Sequence, residues 1–138
     1  MATATTHYVN HAPATTRVER VASILHWTYG LLPIAAGADK FLHLLTDWNK
    51  YLAPVVTQVI PISPNAFMSI VGIIEIAAGI ILLIRPKIGS LIVGLWLIGI
   101  ALNLLLTGQY FDVAVRDIIM SIGAFCLYTL LNGKRDVD

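Results

Sequence analysis

The chain has 138 residues, of which 57% are hydrophobic and 12% charged, with a formal net charge of +1. Soluble domains carry roughly 25% charged residues, so this composition, with a mean hydropathy of +0.79, places the chain among membrane proteins. The balanced charge excludes an electrostatic footprint for nucleic acid. The single cysteine, Cys126, excludes a disulfide framework and a thiolate metal cluster; in its apolar run it reads as a small packing residue.

Residues 1–17 read as a polar mobile tail, rich in Thr and containing Pro13, without the basic start and early apolar core of a secretory signal. His7 and His11 have the i, i+4 spacing of a metal pair only if the tail is helical, which the threonines and Pro13 oppose. A first span covers about 18–45, with Pro33 expected to kink or bend it. The stretch TDWNKYLAPVVTQVIPIS, residues 46–63, follows. Trp48 and Tyr51 read as interfacial anchors, and Leu52, Val55, Val56, Val59 and Ile60 recur at near-helical spacing across the break at Pro54. A short helix or re-entrant element on the outer surface is expected there, with an irregular loop as the alternative.

The second span, about 64–84, opens with Ser63 as N-cap and Pro64 at the first helical position. The third, about 87–107, lies between Pro86 and Gly108 and contains no charge beyond its first residue, so it has no polar face for a soluble helix to show. The fourth, about 112–131, is expected to be capped by Asp112 and closed by Asn132–Gly133, ahead of a short polar tail at 133–138. A span needs about 20 residues, and all four are long enough. The expected fold class is therefore all-α, an integral membrane four-helix bundle with both termini on the same side. Six of the nine basic residues fall on the terminal side, so the positive-inside rule puts both termini in the cytoplasm, with the bacterial inner membrane as the expected location.

Glu75 is the only charge in FMSIVGIIEIAAGIILLI, residues 67–84. Eleven Ile, Leu, Val or Phe residues, at roughly −0.3 to −0.6 kcal/mol each, outweigh roughly +3 kcal/mol for a central charge, so the helix inserts. The carboxylate must still face protein rather than lipid. Helical spacing aligns it with Met68, Gly72, Gly79 and Leu82, and glycines beside it permit close helix approach. The first span offers a stripe of His26, Gly30, Pro33, Gly37, Lys40 and Leu44, beside an adjacent i, i+4 pair, Asp39 and His43. The third offers Leu95, Gly99 and Asn103. The fourth offers Arg116 and Asp117, followed by Ser121, Ala124 and Tyr128. Asp39, Lys40, Asn103, Arg116 and Asp117 are thus expected to converge on the outer half of the bundle, with Glu75 deeper, as one hydrogen-bond and ion-pair network. Such a network locks helix register or marks a proton or solute path. Against the path, no titratable ladder continues beyond Glu75.

His26 and His43 lie on one helix, seventeen residues or roughly 25 Å apart, so they cannot ligate one haem, and the other spans contain no histidine. Each remains available to contact a pigment, quinone or haem held by a partner. No nucleophile elbow, phosphate loop, dinucleotide fingerprint or zinc-protease motif occurs, and no catalytic residue or metal site is assigned. Trp27, Trp48 and Trp96 read as interfacial anchors or lipid-facing bulk.

Four spans, the GADKF motif at Gly37–Phe41, the acid in Gly72-Ile73-Ile74-Glu75 and Arg116-Asp117 opening the fourth span together resemble the DoxX-like membrane proteins over about residues 18–132. The resemblance implies a four-helix bundle and, for some members, association with quinone-linked oxidoreductases. The leading expectation is a non-catalytic accessory subunit that packs against a larger electron-transfer complex, respiratory or photosynthetic. Its expected partners are lipids and other integral membrane subunits. No cofactor of its own is expected, and a quinone, pigment or lipid shared with the partner is the expected alternative. The alternatives are a quinone-reactive oxidoreductase subunit and a small proton-coupled transporter.

Overall fold

A computed structural model describes residues 14–133. The possible His7–His11 pair, the first part of the expected N-terminal tail and residues 134–138 lie outside the described residues. Five α-helices and one 3-10 turn run in the order α1 (Ala14–Leu42), the turn Trp48–Tyr51, α2 (Pro54–Val59), α3 (Pro64–Ile84), α4 (Pro86–Leu106) and α5 (Phe111–Asn132). Helices α1, α3, α4 and α5 are long and apolar enough to cross a membrane, and the described chain is a helical membrane bundle. At ~1.5 Å per residue each exceeds the ~30 Å hydrocarbon core.

Local chemistry explains most of the boundaries. Ser63 caps α3, its hydroxyl accepting from the Ala66 amide at 3.2 Å, with Pro64 in the first turn. Arg85 alone separates α3 from α4; ahead of Pro86 its backbone leaves the helical region (φ −130°, ψ 76°), which breaks the chain into two spans. Helix α1 runs unbroken through Pro33. It begins four residues before the expected start and stops at Leu42 rather than Leu45. His43 adopts a left-handed conformation, φ +53°, and the Asp39 carboxylate takes the amides of Leu44 and Leu45 that another helical turn would have engaged. Asp112 is not the cap of α5. The helix starts at Phe111 after a left-handed Tyr110, and Asp112 lies inside the first turn, where the helix dipole favours an acid. The stretch 46–63 forms the turn and the short helix α2.

Helix α1 packs chiefly on α3, and α4 on α5, with α3 against α4 and α1 against α5 closing the ring. Two glycine pairs bring α1 and α3 together. The Gly72 carbonyl occupies the place where a Cβ on Gly37 would sit, and the Gly30 carbonyl does the same at Gly79. The buried face of α3 comprises Met68, Gly72, Glu75, Ala78, Gly79 and Leu82, the expected stripe with Ala78 added. Nearer the Arg85 turn the interior is closed and apolar, built on Ala22, Tyr29, Leu82, Val93 and Leu127. Tyr29 rests directly over Gly123 of α5, where any side chain would collide with its ring. The opposite end is capped by the Trp48–Tyr51 turn and its flanks, and there the bundle opens into a cavity.

Candidate functional site: a polar-ended cavity beneath the cap

The glycine crossing sets the site. Because α1 and α3 touch backbone to backbone at Gly37 and Gly72, Lys40 one turn along α1 reaches Glu75 one turn along α3. The Lys40 ammonium donates to Glu75 Oε2 at 2.5 Å, with both side chains almost wholly buried. The same ammonium lies 3.8 Å from the centroid of the Trp48 ring, a cation–π contact from the cap. Glu75 lies roughly 16 Å along α3 from its capped end.

Asp39, one residue earlier, turns the other way, since neighbours on a helix diverge by about 100°. Its carboxylate accepts from the amides of Leu44 at 2.9 Å and Leu45 at 3.1 Å, and from Trp48 Nε1 at 2.7 Å. Trp48 is thereby held by both members of the Asp39–Lys40 step: its N–H by the acid, its face by the base. On α4, the Asn103 amide donates to the Tyr51 carbonyl at 2.7 Å and accepts from the Ala53 amide at 3.1 Å, pinning the other side of the cap. Tyr51 then meets Tyr110 edge to face at 4.8 Å. On α5, Arg116 makes a long 3.4 Å contact with buried Asp117, while its own side chain is 64% exposed.

The expected single network is therefore looser than one hydrogen-bond net: Trp48 links Asp39 to the Lys40–Glu75 pair, while Asn103 and Arg116–Asp117 make no hydrogen bond to that cluster. Lys40–Glu75 and Arg116–Asp117 are ion pairs, and Asp39 and Asn103 serve the cap. Five of these six residues, Lys40, Glu75, Asn103, Arg116 and Asp117, meet at one space. It is a cavity of about 800 Å³ whose remaining walls are mainly apolar. Asp39 does not border it. That volume falls in the range of small-molecule sites, ~300–1,000 Å³.

Other expected positions fall elsewhere. His26 is half-buried with its ring edge-on to Trp27 at 5.6 Å, and His43 is exposed; neither borders the cavity. The stripe Leu95–Gly99–Asn103 does not form one interface, because Leu95 is 57% exposed and nothing lies within 4 Å of a Cβ built on Gly99. Leu44 lies beyond the end of α1 and is exposed. Trp48 and Tyr51 are turned inward onto the cavity rather than lying as free anchors. Trp96, taken as an anchor or lipid-facing bulk, also borders the cavity, with its Nε1 buried beside the Glu75 carboxylate. Its spacing of seven from Asn103 puts both on one face of α4, a signal present in the sequence. Trp27 is exposed, as expected.

Among the described residues no three of His, Cys, Asp or Glu are grouped to hold a metal ion. What the arrangement offers is a mainly apolar chamber with ion pairs, indoles and an amide at one end, the form of a site for an amphipathic molecule. No family model, curated protein or solved structure matches this chain.

Proposed function

We propose that the chain is a small integral membrane subunit that holds an amphipathic, lipid-soluble molecule within its helices and presents it to a larger electron-transfer complex. The observation that carries this reading is the cavity: about 800 Å³, mainly apolar, with Lys40, Glu75, Arg116 and Asp117 grouped about it. A protein whose only task is to fill a flank has no use for such a space. Packing favours filling it, since interiors are close-packed and unfilled voids destabilise. The resemblance of the GADKF motif and the α3 acid to DoxX-like proteins supports a quinone as the molecule concerned. In this reading the polar head lies towards the cap and the tail runs along α1 and α5, past Leu32 and Met120, which border the same space. Extraction from native membranes in mild detergent tests the proposal. It predicts co-purification of partner subunits and a lipid-soluble molecule; homogeneous protein carrying neither would end it.

The second reading is a purely structural accessory subunit. It is favoured by the use of Asp39 and Asn103, whose hydrogen bonds go to the cap and its flanks. It predicts that Glu75→Gln abolishes accumulation of the complex and that no variant separates assembly from turnover. Both readings place the termini in the cytoplasm on the charge bias alone. Labelling of a cysteine introduced near either terminus from the periplasmic side of intact cells would contradict that.

A further inference from the structure

On α5 the sequence sets an acid beside a base, and the helix sends them apart. Arg116 and Asp117 are adjacent, so their side chains diverge by about 100°. Arg116 leaves the bundle from the second turn of α5, 64% exposed, and its long stem carries the charge outward. Asp117 turns inward, is 5% exposed and borders the cavity. The arginine therefore meets only one edge of the carboxylate. Its Nε and one terminal nitrogen each lie 3.4 Å from Oδ1, against about 2.7–2.9 Å for a good charge-assisted bond. Oδ2 takes no hydrogen bond among the described residues, yet it is not closed off, and a molecule the size of water can reach it. In a residue so deeply buried, that opening faces the cavity. A buried carboxylate oxygen nearly always has a donor. The other nitrogen donors that border the cavity bond elsewhere: Lys40 to Glu75, Trp48 to Asp39 and Asn103 to the Tyr51 carbonyl, while Trp96 Nε1 lies beside Glu75. The donor that Oδ2 lacks is one that an occupant of the cavity would bring.

Charge narrows the kind of donor. The charged residues bordering the cavity are Lys40, Glu75, Arg116 and Asp117, two of each sign, and each base is paired with an acid. An ammonium head would add a charge with no unmatched acid to balance it, in a setting where an uncompensated charge is strongly disfavoured. A hydroxyl brings a proton to share and no net charge.

Resting on the reading of the cavity as a ligand site, we propose that its occupant is a neutral amphiphile whose head carries a hydroxyl, donated to Asp117 Oδ2. Asp117 is then the residue that selects a free hydroxyl over the same head blocked as an ether. Two lipid-soluble sources share this chemistry, the phenolic hydroxyl of a reduced quinone and the free hydroxyl of a diacylglycerol.

The test uses the full chain in lipid nanodiscs, titrated calorimetrically under nitrogen with two matched pairs of probes. One pair is a short-chain isoprenoid benzoquinol and its dimethyl ether; the other is a short-chain diacylglycerol and its O-methyl ether. At least one hydroxyl compound binds, and the tighter of the two identifies the source. Its ether binds about tenfold or more weakly, because a hydrogen bond to a charged group is lost. Asp117→Leu removes the acceptor and leaves behind only the exposed Arg116, so hydroxyl and ether then bind within about twofold of each other. Looser packing alone would weaken both members of a pair alike, so the ratio reads recognition. Equal affinity of hydroxyl and ether on wild-type protein overturns the proposal, and a ratio retained in Asp117→Leu overturns the assignment to Asp117. Tighter binding of dodecylammonium than of either hydroxyl compound overturns the neutral-head claim. If Asp117→Leu does not fold, Asp117→Asn decides. Its neutral amide oxygen accepts a weaker bond, so the ratio falls about threefold or more, and an unchanged ratio overturns the assignment. Failure of every probe on folded wild-type protein overturns the ligand-site reading as well, whereas binding without discrimination overturns this inference alone.

Discussion

Removing one member of the Lys40–Glu75 pair should be far more damaging than removing both. At an effective dielectric of about 20, unit charges 2.5 Å apart attract by roughly 7 kcal/mol. Withdrawing each ion from water costs several kcal/mol, so the pair as a whole contributes little net stability. Lys40→Met leaves the Glu75 carboxylate buried against apolar walls without its cation, and a loss of about 3–5 kcal/mol follows. The double variant Lys40→Met/Glu75→Leu leaves no stranded charge and should lie close to wild type, or above it. Unfolding by sodium dodecyl sulfate in mixed micelles, followed by tryptophan fluorescence and circular dichroism, measures all three proteins on one scale. A single variant costing under about 1 kcal/mol would mean that the pair is hydrated and the burial argument wrong. A double variant as damaged as the single would mean that the pair stabilises the fold outright. A double variant that folds well but no longer retains its lipid-soluble ligand is the outcome expected if these charges exist for binding.

Two further expectations follow from the packing. Gly37→Val should lower stability by about 1–3 kcal/mol, since its branched side chain meets the Gly72 carbonyl and Ile76 across the α1–α3 crossing. Gly99→Ala, with nothing in its way, should be neutral or gain up to about 1 kcal/mol from helix propensity; thermal melts in detergent compare the two. Asn103→Leu strips the cap of two hydrogen bonds, so amide exchange at residues 51–53 should accelerate about tenfold or more while the α3 core stays protected. Exchange unchanged at Ala53 would show that Asn103 does not hold the cap.

How much of this was readable beforehand depends on where the sequence has contrast. In α3 a single acid among apolar residues, flanked by Gly72 and Gly79 at helical spacing, marks the buried face, and the structure has that face. The partner was readable too, because Lys40 shares a stripe with Gly30 and Gly37 on α1. In α4 there is almost no contrast: apolar residues surround the whole helix, so periodicity could not tell lipid-facing Leu95 from cavity-facing Trp96. Only the spacing from Trp96 to Asn103 carries that information. The expected network divides its hydrogen bonds for a geometric reason. Asp39 and Lys40 are adjacent on a helix, so their side chains diverge by about 100° and share only Trp48, whose indole spans both. Lys40 therefore meets Glu75 while Asp39 serves the cap. The inward turn of Trp48 depends on contacts made nine and eight residues back in the chain, which local pattern does not encode. The cavity itself is a property of four helices together and has no signature in any one of them.

The central claim is that the space beneath the cap holds a lipid-soluble molecule, and native mass spectrometry of the gently extracted protein tests it most directly. The account predicts a one-to-one adduct on the wild-type chain. It also predicts that the adduct is missing from folded Ala36→Phe, whose new ring projects from a residue bordering the cavity. A bare wild-type chain, or an adduct that survives in Ala36→Phe, would contradict it.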